Sequence, residues 1–286
     1  TKLPTYLVRK ANDIDRIFNN ELKNLQTDYI DYYLMHMLSD KVTWNRLCAL
    51  GIEDWIAQKK RSGQIRNIGF SFHGGKAGFV ELVDAYDWDL AQIQYNYLDE
   101  NNQAGRSGLE YAASKNIPVV VMEPLRGGRL VTGLPDDVQQ AFAQFEPKRK
   151  PADWALRWVF DHPEVTCVLS GMFNMQQLDE NIATANDTDI HALGENEKAL
   201  FAQIKQSIFE KTKVPCTGCS YCMPCPAGVD IPNCFAVYND GYLHNMRKAR
   251  SQYMQATRAL TGNPGYASKC VKCGKCETIC PQHIPI

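Results

Sequence analysis

The stretch DYIDYYLMHML at residues 28–38 carries apolar side chains almost without a break. It does not alternate as a half-exposed strand would, and it is short for a helix. Continuous apolar runs of this length are the mark of parallel strands buried on both faces. Working outward, IRNIGFSF at 65–72, LAQIQYNYL at 90–98, PVVVMEPL at 118–125 and VTCVLSGM at 165–172 read the same way. Helical spacing fills the intervals. Residues 13–25 repeat Ile14, Ile17, Phe18, Leu22 and Leu25, and 50–60, 78–86 and 108–115 follow suit. Pro151 stands where a helix tolerates proline, ahead of a stripe of Trp154, Ala155, Trp158 and Val159. Strand and helix in alternation predict an α/β fold with a parallel sheet. Cys48 and Cys167 are expected in the core.

Beyond residue 194 the pattern changes. Residues 195–213 are amphipathic, with Leu200, Phe201, Ile204, Ile208 and Phe209 on one side. Eight of the eleven cysteines follow in two runs: Cys216, Cys219, Cys222 and Cys225 before Pro226, then Cys270, Cys273, Cys276 and Cys280 before Pro281. The second run has the C-x2-C-x2-C-x3-C-P spacing of bacterial [4Fe–4S] segments; the first has x2 before its last cysteine. In two-cluster ferredoxins the fourth cysteine of each run serves the other cluster. One cluster would then take Cys216, Cys219, Cys222 and Cys280, and the other Cys270, Cys273, Cys276 and Cys225. Structural zinc is the alternative for paired C-x2-C units. The backbone amides of Gly218 and Gly274 are expected to donate to cluster sulfurs. Cys234 reads as a buried thiol, with a spare ligand as the alternative, and His283 as a neighbour rather than a ligand. The stretch 233–260 between the runs reads as largely helical. The domain division is therefore 1–193 for the α/β part, 194–213 for a connecting helix and 214–286 for a two-cluster module.

Composition agrees with a globular chain: 44% hydrophobic and 22% charged residues, with a formal net charge of -1. No charge excess points to a nucleic acid, and no apolar run is long enough for a membrane span. No secretory pattern opens the sequence, which predicts a cytoplasmic location where cysteines serve as thiolate ligands rather than disulfides. The start, Thr1-Lys2-Leu3-Pro4, lacks Met, so the native N-terminus is expected upstream.

Several segments together resemble the aldo/keto reductase family. ELKNLQTDYIDYYLMH at 21–36 is similar to its LGxDYIDLYxxH segment, and KKRSGQIRNIGFS at 59–71 to its GKIRxIGxS segment. PADWALRWVFDHPEV at 151–165 resembles the helix before its last strand, and LDENI at 178–182 its E-N cofactor motif. The resemblance covers about residues 1–190 and implies a (β/α)8 TIM-type barrel with its site at the C-terminal strand ends. It implies Lys2 and His36 as catalytic residues, the lysine lowering a tyrosine's pKa and the histidine holding a substrate carbonyl. The family's Asp and Tyr, and its first two βα units, have no match, leaving about six units. Sheet edges left open are expected to make dimeric contacts or to be disordered.

For NADP or NAD the resemblance implies Ser71 and Gln92 at the carboxamide and Met122 under the nicotinamide ring. Leu125, Gly127 and Arg129 fall in the pyrophosphate-covering loop LRGGRL, with Arg126 beside them. Ser170, Gly171, Met172, Gln177, Glu180 and Asn181 fall at the adenosine end. Gly171 and Gln177 stand where many members carry the cations that bind a 2′-phosphate, so the choice of dinucleotide stays open. The architecture resembles a subgroup with C-terminal iron–sulfur motifs. It implies an oxidoreductase with two [4Fe–4S] clusters, acting on a small carbonyl or alcohol and exchanging electrons with a redox protein. The alternative is an electron-transfer or interaction module in which the barrel is a non-catalytic scaffold.

Overall fold

The computed structural model describes residues 1–257 and 264–286 and divides into two compact units. The first comprises residues 1–95, 99–122 and 163–169. It holds one sheet, β1 (Lys2–Pro4), β2 (Ile30–Leu38), β3 (Ile65–Phe72), β4 (Leu90–Gln94), β5 (Val119–Met122) and β6 (Val165–Val168). The strands lie in chain order and every pairing is parallel. Such neighbours need a crossover, and helices supply it: α1 (Ala11–Leu25), α2 (Lys41–Cys48), α3 (Ile52–Arg61), α4 (Lys76–Val83) and α5 (Gly105–Ser114).

Local chemistry fixes the helix ends. Asp13 accepts the amides of Arg9 and Lys10 at 3.0 and 3.1 Å at the start of α1, and Asp40 caps α2 through Thr43 N–H at 2.8 Å. Gly51, at φ 81°, separates α2 from α3, so one expected helix at 50–60 is preceded by another. The apolar faces meet in edge-on aromatic groups: Phe18 with Tyr33 and Trp55, and Trp44 with Tyr86 and Trp88.

β2 and β3 occupy the predicted residues; β4, β5 and β6 are shorter than predicted. β4 ends at Gln94, and in the following turn Asn96 Oδ1 accepts the Leu98 amide at 3.1 Å. β5 ends before Glu123, at φ 58°, and Pro124, which has no amide to donate. β6 departs from a buried strand. Among the described residues it pairs only with β5, and Thr166 and Cys167 are exposed. Cys167 is therefore not a core residue, and Cys48 is only partly buried.

The second unit comprises residues 96–98, 123–162 and 170–286. It contains α6 (Asp136–Gln144), α7 (Pro151–Phe160), α8 (Met175–Asn186), α9 (Glu195–Lys211), α10 (Ile231–Asp240), α11 (Met246–Ala256) and the short α12 (Lys275–Ile279). Its core gathers Tyr97, Phe142, Trp154 and Phe201, all at most 2% exposed. Arg149 stacks on Trp154 and pairs with Glu197, which also accepts the Gly194 amide at the start of α9. Phe209 is 54% exposed, so it lies off the buried stripe of that helix. A π-helical turn, Gly241–Asn245, joins α10 to α11. The expected helix at 233–260 is thus present as far as described; residues 258–260 lie outside the described residues. No described helix is long and apolar enough to cross a membrane.

Candidate functional sites

Strand register assembles a polar row on one face of the sheet. Lys2 stands opposite Leu34 and Pro4 opposite His36, Leu34 opposite Gly69, and Gly69 opposite Leu90. Two residues further along, Ser71 stands opposite Gln92, Gln92 opposite Val120, and Gln94 opposite Met122. Because side chains alternate with a period of two, Lys2, His36, Ser71, Gln92 and Met122 share that face. β2 shifts register after Met35, and Met37, at φ 61°, donates its amide to Ser71 Oγ at 2.9 Å. Gln92 Nε2 donates to Met122 Sδ at 2.9 Å. Burial lowers the pKa of Lys2. Burial, then the charge of Lys2, lowers that of His36, favouring a neutral imidazole.

His73, immediately after β3, escaped the sequence reading. Its Nδ1 lies 3.2 Å from Gln103 Oε1, Gln103 Nε2 donates to Gln94 Oε1 at 3.1 Å, and Gln94 Nε2 donates to Asp99 Oδ2 at 2.8 Å. All four side chains are buried. A carboxylate only accepts, so it orients Gln94, which orients Gln103, which requires the proton of neutral His73 on Nδ1. Burial lowers the His73 pKa to about 4, with His36 and Lys2 acting in the same direction. No local spacing signals this chain, because its members come from separate segments.

In the second unit, Leu125, Gly127 and Arg129 lie on the 123–135 connection, with Gly127 at φ 64°. Arg126 is buried. Asn181 Nδ2 donates to Ser170 Oγ at 3.0 Å, and Gln177 Oε1 accepts the Phe173 amide at 3.1 Å. Gly171 is exposed with open space around it. Glu180 accepts from Lys150 at 2.5 Å and Gln176 at 2.8 Å, and these bonds hold its carboxyl below the usual range.

The cysteines gather around two hollows. Cys216, Cys219, Cys222 and Cys280 line one. Cys225, Cys270, Cys273 and Cys276 line the other, with Cys222 at the junction. Burial first, then the Cys216, Cys219 and Cys280 thiols, push Cys222 up to about 12 against a lowering backbone hydrogen bond. Loading such a site as thiolates releases protons. Asn239 clamps the approach to the first run, accepting the Lys213 and Val214 amides and donating to the Val214 carbonyl. Tyr253 Oη accepts the Ala267 amide at 2.7 Å ahead of the second run, with the buried Cys234 thiol beside it. The Lys272 amide donates to Cys270 Sγ at 3.4 Å.

The two runs repeat one backbone. Positive φ occurs just before the second cysteine, at Gly218 (77°) and Lys272 (53°). It recurs just after it, at Ser220 (64°) and Gly274 (71°), and three residues past the fourth, at Gly228 (74°) and His283 (51°). The amides of Gly228 and His283 both return to the carbonyl of that fourth cysteine. Glycine marks only half of these positions, so composition reveals half the repeat.

A parallel sheet with a polar row on one face, followed by a helical module with two thiol hollows, defines an oxidoreductase-type domain joined to an iron–sulfur domain. Residues 7–193 match the aldo/keto reductase family, to which this chain belongs, and residues 215–284 match the 4Fe-4S dicluster domain. The uncharacterized oxidoreductase YrpG of Bacillus subtilis (strain 168) is 27% identical over 202 residues, 59% of this chain and 57% of that protein. L-galactose dehydrogenase of Arabidopsis thaliana is 23% identical over 213 residues, 66% of this chain and 62% of that enzyme. The holo form of aldo-keto reductase AKR11C1 from Bacillus halodurans shares the fold, with a TM-score of 0.56 at 22% identity, over 68% of this chain and 65% of that one. The chain thus spans about three fifths of the length of the curated relatives it matches.

Proposed function

We propose that the chain is part of a cytoplasmic, nicotinamide-dependent oxidoreductase acting on a small carbonyl or alcohol, with two [4Fe–4S] clusters that exchange electrons with a redox partner. The observation that carries the reading is the sorting of eight cysteines into two four-thiol sets, each completed by the last cysteine of the other run. Three closely spaced cysteines and a C-P pair in each run favour clusters over zinc, whose usual signal is paired C-x2-C units.

NADH or NADPH, when bound, would supply hydride and NAD or NADP would accept it, and clusters would take or give single electrons. The chain's own residues orient the reactants. Lys2 is a partly desolvated cation on the face it shares with His36, and neutral His36 is suited to hydrogen-bond a substrate oxygen. Ser71 Oγ accepts from Met37 and keeps its own proton to donate to a carboxamide, with Gln92 beside it across the β3–β4 pair.

Anaerobic purification followed by iron and sulfide analysis and EPR of the reduced protein tests the reading. Two clusters predict about eight irons per chain. Cys280→Ser should disturb the cluster of the first run, and Cys225→Ser that of the second. Zinc in place of iron, or each substitution affecting the cluster of its own run, would overturn it. In the same preparation, Ser71→Ala and Gln92→Ala should weaken nicotinamide binding about tenfold, read by NADPH and NADH fluorescence.

A further inference from the structure

Arg129 lies against the first cysteine run. A β-carbon built on Gly218 would stand 3.6 Å from Arg129 Nη2, 3.7 Å from Nε and 3.9 Å from Cζ. The guanidinium therefore covers the one residue between Cys216 and Cys219 that adjoins the second thiol. Gly218 has φ 77° and no side chain to hold the charge away. One built on Gly127 would meet Glu123 Oε2 at 3.7 Å and the Thr217 carbonyl at 3.9 Å, so two positions of the 125–130 loop face Thr217-Gly218, with one carboxylate beside the loop. Arg129 and Cys216 also line a common cavity of about 290 Å³.

Asp240 lines the same cavity, but among the described residues Arg129 has no direct carboxylate partner, unlike several other arginines. Arg149 pairs with Glu197, Arg157 with Asp153 and Asp187, and Arg106 with Glu100 and Glu110.

We infer that Arg129 is a positioning residue of the first iron–sulfur site, its unpaired cation raising the reduction potential of the cluster held there relative to a neutral side chain. The inference rests on the ligand reading above. When a cluster takes one electron from an external reductant, the cluster and its thiolates become one charge more negative. A fixed cation beside the ligand loop stabilises that state over the oxidised one. Arg129 lines neither hollow itself but stands beside the Cys216–Cys219 loop, whereas the second hollow carries Lys272 and Lys275, so the Arg129 effect belongs to the first site.

The test is an EPR-monitored dithionite titration of the anaerobically purified chain, with signals assigned through Cys280→Ser and Cys225→Ser. Arg129→Gln should make reduction of the first cluster about tenfold less favourable, a downward shift of about 59 mV for a one-electron couple. Arg129→Lys should stay near wild type, and the second cluster should move far less in both variants. If Arg129→Gln retains full iron and sulfide and titrates at the wild-type potential, the inference fails while the ligand reading stands. If the first hollow of the wild-type protein holds no cluster, both fail.

Discussion

Ser220 and Gly274 occupy the same place in the two cysteine runs, one residue past the second thiol, and both have left-handed φ. Only glycine takes that conformation without steric cost, about 1–2 kcal/mol for other residues. Gly274 has open space around its α-carbon, so Gly274→Ala isolates the backbone effect and should destabilise the second unit by about 1 kcal/mol. Ser220→Gly should leave stability level or raise it by up to about 1 kcal/mol, because relief of strain is partly offset by added freedom of the unfolded chain. The thermal midpoint of the cluster-loaded protein, followed by circular dichroism under anaerobic conditions, should fall for Gly274→Ala and hold or rise for Ser220→Gly, by about 2–4 °C per kcal/mol. At this scale, ligand spacing is local and readable: the sulfur donors of each run stand a few residues apart. The orientation of His73 is not. It depends on Gln103, Gln94 and Asp99, which the fold alone brings together.

α9 shows what an element's sequence does and does not disclose. Its apolar residues identify a helix, yet Phe201 and Phe209 are not equivalent. The first sits among Tyr97, Phe142 and Trp154; the second is exposed. Phe201→Ala should cost about 3–5 kcal/mol, and Phe209→Ala less than about 0.5 kcal/mol, in thermal unfolding of the loaded chain. Equal losses would show that the two rings share one buried stripe. The strands follow the same logic. β2 and β3 are legible to the residue because successive residues, Tyr33–Met35 and Ile68–Phe72, are buried, although Asp31, Tyr32 and Arg66 near their starts are exposed. β4 and β5 end early, where Asn96 turns the chain and Pro124 removes a donor, and both signals are present in the sequence. β6 has no such signal. Its exposure reflects a single pairing neighbour among the described residues, a property of the sheet rather than of VTCV itself.

For the whole molecule, the fold class was legible from the order of apolar runs, whereas the polar row on the sheet depended on register and emerged only with the structure. Lys2, His36, Ser71, Gln92 and Met122 are far apart in the chain, and a slip of one residue would turn a strand's contribution to the other face. The thiol module has the complementary property. Each run lines one hollow with three thiols and the other with its last, Cys222 lying at both. Under the proposed ligation the halves would be laced together like a two-strand knot, and neither could be undone alone. Extraction of iron by a chelator should run as one concerted process, with absorbance of both sites lost at a single rate. Cys225→Ser or Cys280→Ser, by cutting one lace, should split that loss into a fast and a slow phase. Two independent rates in the unaltered chain would show that the halves let go separately.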